Sequence, residues 1–420
     1  MDAYPEIPNL RHLRMVQVIG KLGGVTCASR ELSTSQPAVT QAVSNLEAEL
    51  GTAIFERRAT GTYPTPLGQQ FLLRIDRFFE ILDNAVRVIQ PRSDTLQTRA
   101  LPLVERMITG TQLRSLIVTA DPGRVDEIAQ RMGLSTASLY RSARTLERSL
   151  GTTVFDRSAQ GPILNKTGLA LNRAFRRAIR EIEMGRGEIM MAAGEGCLEL
   201  VVGALPMSGS FELAEAIRRF TPQCPNVKVR VVTGEYHKLL DDLSNSRIDM
   251  IFGLLQRPQW ATEINEEAMF NDSYCVVTRP AHPLSHLADI TPDALSGYEW
   301  VVPAAGTPRG RRIEALFDSC EKRPSFNIET SSISTCRALL LRSDMVTVMT
   351  RSEVQLDVSL GILDSLPCRY LDAIPPKGVS TRADWLPTAA HDTFLDCLRA
   401  VTSDTQHDAP HTRPQIALAS

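Results

Sequence analysis

Residues 13–68 and 113–168 align at a fixed offset of 100 without a gap, so any fold adopted by the first segment must also suit the second. Identities fall at Leu13/Leu113, Arg14/Arg114, Val18/Val118, Val25/Val125 and Ser35/Ser135. A denser run follows at Leu46/Leu146, Glu47/Glu147, Leu50/Leu150, Gly51/Gly151, Phe55/Phe155, Arg57/Arg157, Gly61/Gly161 and Gly68/Gly168. Other pairs, such as Leu32/Met132, Val39/Leu139 and Ile54/Val154, keep their apolar character. The same structural unit is expected twice, the second time from about residue 111 to 166.

The first copy says what the unit is. Ser35 is a good helix N-cap, and Pro37 falls in the first turn, where its missing N–H costs no hydrogen bond. Val39, Val43 and Leu46 then recur at helical spacing and predict one buried face. The opposite face carries Gln36, Thr40, Gln41, Ser44 and Asn45, which are uncharged hydrogen-bonding side chains. Such groups can meet base edges in a DNA major groove, where Gln and Asn suit adenine. Upstream, Val25 to Leu32 predict a short helix with small Ala28 and Ser29 at the crossing, and Ser33-Thr34 make the turn of a helix-turn-helix. The alternative is an ordinary pair of core helices.

The flanks favour the first reading. Leu10-Arg-His-Leu-Arg-Met-Val-Gln-Val-Ile, the L-E-x-x-L-G-x-x-I-F-x-R run from Leu46 to Arg57, and Thr65-Pro-Leu-Gly stand together around the helix pair. Residues 10–90 closely resemble the N-terminal domain of LysR-type transcriptional regulators. The resemblance implies a two-stranded wing over Ala53 to Pro64, with Arg57 and Arg58 beside DNA phosphates and Gly61 in its turn. The expected DNA contacts of this copy are Ser33, Ser35, Gln36, Pro37, Thr40, Gln41, Asn45, Arg57, Arg58 and Thr65.

Thr65 and Pro66 cap a long helix in which Leu72, Ile75, Phe79, Leu82, Val86 and Ile89 alternate steps of three and four. Such a seam wants a partner helix. In LysR-type regulators this linker helix pairs two subunits in antiparallel fashion; packing within its own chain is the alternative. Pro91-Arg-Ser-Asp ends the helix. The second copy has its own long helix, with Leu171, Phe175, Ala178, Ile182 and Ile189 on one stripe, running to a hinge at Gly194-Glu-Gly196. Its recognition helix has lost the Gln-Pro pair and gained Tyr140, Arg141 and Arg144. With Ser135 and Thr136 these are candidate DNA contacts, since arginine grips phosphates and guanine. The competing reading is a dimerisation spacer with solvated arginines.

Beyond residue 197, Leu198-Glu-Leu-Val-Val-Gly, Val227-Lys-Val-Arg-Val-Val and Ile248-Asp-Met-Ile-Phe-Gly predict strands, with amphipathic helices between them. This alternation points to a parallel sheet covered on both faces, with ligand bound beyond the strands' carboxyl ends. The loop Gly203-Ala-Leu-Pro-Met-Ser-Gly-Ser fits neither G-x-G-x-x-G nor G-x-x-x-x-G-K-[ST], which disfavours a nucleotide cofactor. The runs Cys224 to Gly234, I-D-M-I-F-G, Arg279 to Leu284 and Glu329 to Ser334 resemble the effector domain of LysR-type regulators, itself similar to type 2 periplasmic binding proteins. That resemblance implies two lobes, with crossings near Tyr274–Thr278 and 346–349. It places effector contacts at Pro206, Met207, Ser208, Glu235, Thr307, Arg309, Ser331 and Ser332. Thr307 and Arg309 precede a helix, where they can hold an anion; a helix cap and a surface arginine are the alternative.

Charge is divided unevenly. Residues 1–194 hold 25 Lys+Arg against 19 Asp+Glu, a net of +6, while the remainder holds 21 against 29, a net of −8. A basic front suits nucleic acid. Eight scattered cysteines without C-x-x-C spacing predict reduced thiols rather than a zinc site. No apolar run of membrane-spanning length and no signal-peptide pattern occurs, so a cytoplasmic protein is expected.

The expected fold is multidomain: two α-rich winged helix-turn-helix domains with long linker helices, then a two-lobed α/β effector domain. The boundaries are 8–67 and 108–166 for the winged domains, 68–90 and 167–194 for the linkers. The effector domain covers 197–401, with lobe I at 197–278 and 346–401 and lobe II at 279–345, and 402–420 form a disordered tail. The function implied is transcription regulation without enzymatic activity, cofactor or metal. Its expected partners are double-stranded promoter DNA, RNA polymerase and a small effector (an anionic metabolite, a sugar or an aromatic acid). A homodimer or homotetramer is expected, with no membrane. The rivals are an architectural DNA protein with a ligand-blind sensor and an enzyme using the C-terminal α/β domain.

Overall fold

The computed structural model describes residues 9–59, 61–89, 104–120, 125–131, 133–158, 161–194, 196–205, 210–256, 263–371 and 374–407. The chain divides near residue 198 into two compact units.

In the N-terminal unit, α1 (Leu10–Leu22), α2 (Val25–Glu31) and α3 (Gln36–Leu50) lead into the hairpin β1 (Phe55–Arg58) and β2 (Gly61–Pro64), then the long α4 (Pro66–Ile89). A short α5 (Val104–Met107) precedes α6 (Gly110–Thr119), α7 (Val125–Arg131), α8 (Thr136–Leu150), β3 (Phe155–Ser158), β4 (Gly161–Leu164) and α9 (Lys166–Ala192). The element order thus recurs, with strand bounds displaced by the same 100 positions as the sequence identities. Local chemistry recurs too. Ser35 accepts from the Ala38 amide and Ser135 from the Ser138 amide, and both helices close on a left-handed glycine, Gly51 and Gly151. Glu47 Oε1 accepts from the amides of Ile54 (2.8 Å) and Phe55 (3.1 Å). Glu147 does the same for Val154 (2.8 Å) and Phe155 (3.1 Å), tying each hairpin to the helix before it.

The seam of α4 is satisfied inside the chain. Phe71, Ile75, Phe78, Phe79 and Leu82 join Leu171, Phe175, Ala178, Ile179 and Ile182 of α9 in one continuous buried cluster. Gly185 lies against Phe71 so closely that a Cβ there would fall 2.7 Å from the ring, while Arg77 Nε reaches Glu181 at 3.1 Å. Moving forward along α4 therefore means moving backward along α9: the pair is antiparallel. Of the two partners open to the seam, α4 takes the one in its own chain. Leu72 and Ile89, expected on the seam, are only partly buried, and Phe71 and Phe78 widen it.

The C-terminal unit begins with β5 (Leu198–Ala204), α10 (Ser210–Phe220), β6 (Val227–Thr233), α11 (Tyr236–Ser244), β7 (Met250–Leu254) and β8 (Ile264–Phe270). Next come β9 (Tyr274–Thr278), α12 (Pro292–Ser296), β10 (Val301–Val302), α13 (Pro308–Leu316), β11 (Ile328–Glu329), α14 (Ile333–Leu340) and β12 (Thr347–Thr350). It ends with α15 (Arg351–Ser359), β13 (Asp364–Leu366), β14 (Lys377–Arg382) and α16 (Ala389–His407). One sheet has the order β6-β5-β7-β14-β8. Strands β5 and β7 are parallel, but β14 runs antiparallel to both neighbours, so the sheet is mixed rather than wholly parallel.

The second sheet, β12-β9-β13, is antiparallel and buried on both faces. Val276, Val348 and Leu366 enter one core, while Cys275, Val277 and Met349 enter another, as a two-residue side-chain period requires. Residues 274–278 and 346–366 therefore pack with the second lobe, where the sequence predicts the first. The helix α16 continues to His407, with Val401 and Thr402 buried, which moves the start of any tail beyond the predicted residue 402. The predicted helix stop at 91–94 and residues 408–420 lie outside the described residues.

Candidate DNA interface and effector cleft

Burying Val39, Ala42 and Leu46 turns the opposite face of α3 outward, leaving Gln36, Pro37, Gln41, Ser44 and Asn45 exposed and Thr40 half-buried. The Gln41 side-chain amide donates to Asn45 Oδ1 at 2.7 Å, so the two present a joined polar edge. Ser33 turns the chain with φ +51°, a left-handed conformation that few residues other than glycine and asparagine take easily. Thr65 is engaged locally, donating to the Ala53 carbonyl and capping α4 at Gly68 N, both at 3.0 Å. Arg57 and Arg58 stand exposed on β1, where Arg58 pairs with Glu56 and lies 5.4 Å from the centre of the Tyr63 ring. The close approach of Gly68 holds hairpin and helices in fixed relation: a Cβ there would sit 2.0 Å from the Ile54 carbonyl oxygen.

The second copy places its candidates unequally. Arg141 and Arg144 are exposed on α8. Arg148, which the sequence reading passes over, continues the same face one turn later and is exposed as well. Tyr140 instead packs half-buried against the cluster formed by Val118, Val125, Ile128, Ala129 and Leu139, and the Thr136 hydroxyl donates to Asp126 at 2.7 Å. Ser135 caps the helix.

In the C-terminal unit a cavity of about 330 Å³ opens beyond the carboxyl ends of β5 and β7, within the range of small-molecule sites. Glu235, Thr307, Arg309 and Ser331 line it. Ser332 does not; its hydroxyl caps α14 through Thr335 N. Pro206, Met207 and Ser208 lie outside the described residues. Thr307 caps α13 by accepting from Gly310 N at 3.1 Å.

Arg309 is not a free cation. Its Nη2 lies 2.6 Å from both oxygens of Glu353, whose side chain is fully buried. Burial pulls the guanidinium pKa down, but the Glu353 carboxylate outweighs it and holds the pKa above the ordinary value. The cation that remains is Arg311, exposed in the cavity lining and bonded only to the Gly306 carbonyl among the described residues. Tyr274 and His237 complete a rim that sequence reasoning missed, although Tyr274 opens the predicted crossing strand.

Behind Arg309 lies a second buried group of charges. Lys377 Nζ sits 2.9 Å from Asp272 Oδ2 and 2.8 Å from Thr350 Oγ1. Burial would raise the Asp272 pKa, but the Lys377 ammonium and the Ser352 hydroxyl more than reverse this and keep it low. Glu212, fully buried and with neither carboxylate oxygen hydrogen-bonded among the described residues, is pushed up by burial despite Lys377.

Comparison with known families matches residues 10–69 to the bacterial regulatory helix-turn-helix protein, lysR family, and residues 193–403 to the LysR substrate binding domain. The chain belongs to the LysR family. It is a transcriptional regulator with a helix-turn-helix DNA-binding domain and an effector-binding domain, and members of this family are not enzymes. The transcriptional regulator GalR of Pseudomonas putida is 29% identical over 406 residues, covering 95% of this chain and 98% of its own. PcaQ of Agrobacterium fabrum is 25% identical over 303 residues, covering 72% of this chain and 97% of its own. PcaQ is thus shorter by about the length of the repeat, whereas the GalR match runs nearly end to end. A full-length OxyR variant from Pseudomonas aeruginosa shares the fold, with a TM-score of 0.52, 22% identity, and coverage of 70% of this chain and 95% of that one. No described helix is long and apolar enough to cross a membrane.

Proposed function

We propose that this LysR-family regulator carries two winged helix-turn-helix units, both facing promoter DNA, under the control of a small effector in the cleft of its C-terminal unit. The observation that carries the reading is the exposed uncharged face of α3, Gln36, Gln41 and Asn45, set beside the outward arginines of its wing. Amide side chains read base edges while Arg57 and Arg58 hold phosphates. For residues 111–166, support comes from the repeated element order, the repeated Glu147 tie to the hairpin, and the exposed Arg141 and Arg144.

The effector is a small anionic metabolite, among which sugar acids and aromatic acids fit a cavity of this size. Arg311 and the start of α13 supply its counter-charge, with Glu235, Thr307 and Ser331 as polar contacts. A ligand alters promoter geometry only by binding two arrangements of the protein with different affinity. The protein acts in the cytoplasm as a homo-oligomer that engages RNA polymerase.

Footprinting of the Gln36→Ala/Gln41→Ala variant tests the first unit: protection of the promoter should be lost over at least one half-site at unchanged thermal stability, and a footprint identical to that of the natural protein refutes the assignment. Arg141→Ala/Arg144→Ala tests the second unit. Operator affinity should fall together with the steepness of its salt dependence, and unchanged values of both refute DNA contact there.

A further inference from the structure

We infer that a single chain is a complete two-headed DNA reader: α4 and α9 close on each other in cis, and the two helix-turn-helix units they carry address two unlike halves of one operator. The operator half of this inference rests on the reading of residues 111–166 as a DNA-facing unit; the cis pairing rests on geometry alone.

The geometry is that of an approximate two-fold axis. The antiparallel contacts Phe71–Gly185 and Arg77–Glu181, continued along the helices, bring Phe78 opposite Ala178, and both are fully buried. These two positions are equivalent at the offset of 100. Equivalent helices crossing antiparallel at equivalent positions are related by a two-fold, and the units hung on them inherit it. Two-fold-related recognition helices read two half-sites of one operator, which is how paired helix-turn-helix units dock.

The pairing is also selective. Arg74 is 2% exposed, and it donates from Nη1 to Glu181 at 3.0 Å and from Nε and Nη2 to Glu188, both at 3.1 Å. None of these charges is repeated in the other copy: position 81 is Ile81, 88 is Val88 and 174 is Ala174. An α4 pairing with the α4 of a second chain would set buried Arg74 opposite Ile81 and Val88, without a carboxylate. That arrangement strands a desolvated cation. The α4 helix is therefore matched to α9 and mismatched to itself, and tethering in one chain raises the effective concentration of the matched partner. Arg186 extends the match beyond the two long helices, reaching Glu49 of α3 at 2.5 Å.

The two heads differ in what they read. One shows Gln36, Gln41 and Asn45, suited to adenine, and the other shows Arg141, Arg144 and Arg148, suited to guanine and phosphate. The operator of such a reader is composed of two dissimilar halves, not a palindrome.

The test uses the full-length protein. Glu49→Cys/Arg186→Cys is made in a Cys27→Ser/Cys197→Ser background, which removes the exposed native thiols. The protein is treated with a short bis-maleimide and run on a denaturing gel. The expected product is an internally bridged single chain whose yield does not depend on protein concentration. A covalent dimer overturns the cis pairing. So does the absence of any bridge when both thiols react with a monofunctional maleimide.

Footprints then address the operator. Gln36→Ala/Gln41→Ala should lose protection on one half and Arg141→Ala/Arg144→Ala on the other; loss on the same half overturns the two-headed reading. If the arginine variant alone has no effect, the second unit does not face DNA. The cross-link still decides the cis pairing.

Discussion

Replacing Arg74 by alanine removes a cation that bridges Glu181 and Glu188 of α9 from α4. The guanidinium donates from Nε and Nη2 to Glu188 and from Nη1 to Glu181, from a side chain that is 3% exposed. Deleting one partner of a buried pair costs about 3–5 kcal/mol because the other charge is left uncompensated. Here the loss belongs at the lower end. Glu181 keeps Arg77 at 3.1 Å, and the Glu188 side chain retains a fifth of its exposure, so water can partly take over. A cost of about 3 kcal/mol corresponds to roughly two decades in the equilibrium for separating the helices. Native-state hydrogen exchange of the full chain reads this directly: amides of both α4 and α9 should exchange faster by that factor, and by the same factor in each. Adding Glu188→Gln to an Arg74→Met variant should recover much of the protection, since Glu181 still pairs with Arg77 and no buried charge is then left alone. Faster exchange in α4 with α9 unaffected would refute the reasoning, because the two could not then be each other's partners.

Other expectations follow from the C-terminal unit and the wing. Burial raises the pKa of Glu212, so the stability tied to its neutral form is fully present below the ordinary glutamate range and lost as pH rises through the raised value. Glu212→Gln should therefore melt higher than the natural protein at neutral and alkaline pH by about 1–3 kcal/mol, with the gap closing in acid; parallel melting curves across pH would sink this. Arg311→Ala should leave the melting temperature unchanged while weakening calorimetrically measured binding of an anionic ligand about tenfold, the worth of one charge-assisted hydrogen bond. Arg309→Ala should do the opposite, stranding Glu353 in the interior at a cost of about 3–5 kcal/mol, visible as a lowered melting temperature without any ligand. In Gly168→Ala a Cβ would meet the Val154 carbonyl oxygen at 2.2 Å, which should displace the second hairpin at a cost of about 3 kcal/mol and open it to protease.

What could be read from the sequence was local chemistry. Caps, turn glycines and apolar spacing fix where α3, α8 and the hairpins begin and end, and β9 stands out as a short apolar run ending at Arg279-Pro. What could not be read depends on partners far along the chain. The seam of α4 announces a partner helix without saying whose; contacts such as those of Arg74 with Glu181 and Glu188, more than a hundred residues apart, decide it. Arg309 at a helix start looks ready for an anion, and Glu353, 44 residues later, has already claimed it. Strand β14 reads Lys-Gly-Val-Ser-Thr-Arg, with no apolar alternation, because its buried positions hold Lys377 and Ser380, satisfied by Asp272, Thr350, Ser352 and Glu266. Only tertiary hydrogen bonding makes such a strand buriable.

The two copies differ in an informative way. Positions that hold the unit together are alike: a serine cap, a glutamate bonded to two hairpin amides at matching distances, and a glycine pressed against a carbonyl. Positions that face outward have changed, from Gln36, Pro37 and Gln41 to Thr136, Ala137 and Arg141. A spacer needs its helices to pack but has no use for a hairpin held to the recognition helix, since the hairpin contributes little beyond Phe155 and Leu164 to the shared core. In this second copy the hairpin is held as firmly as in the first, beside three exposed arginines on one helical face. A retained framework with an altered reading face fits a unit that recognises a different sequence better than it fits one that has stopped touching DNA.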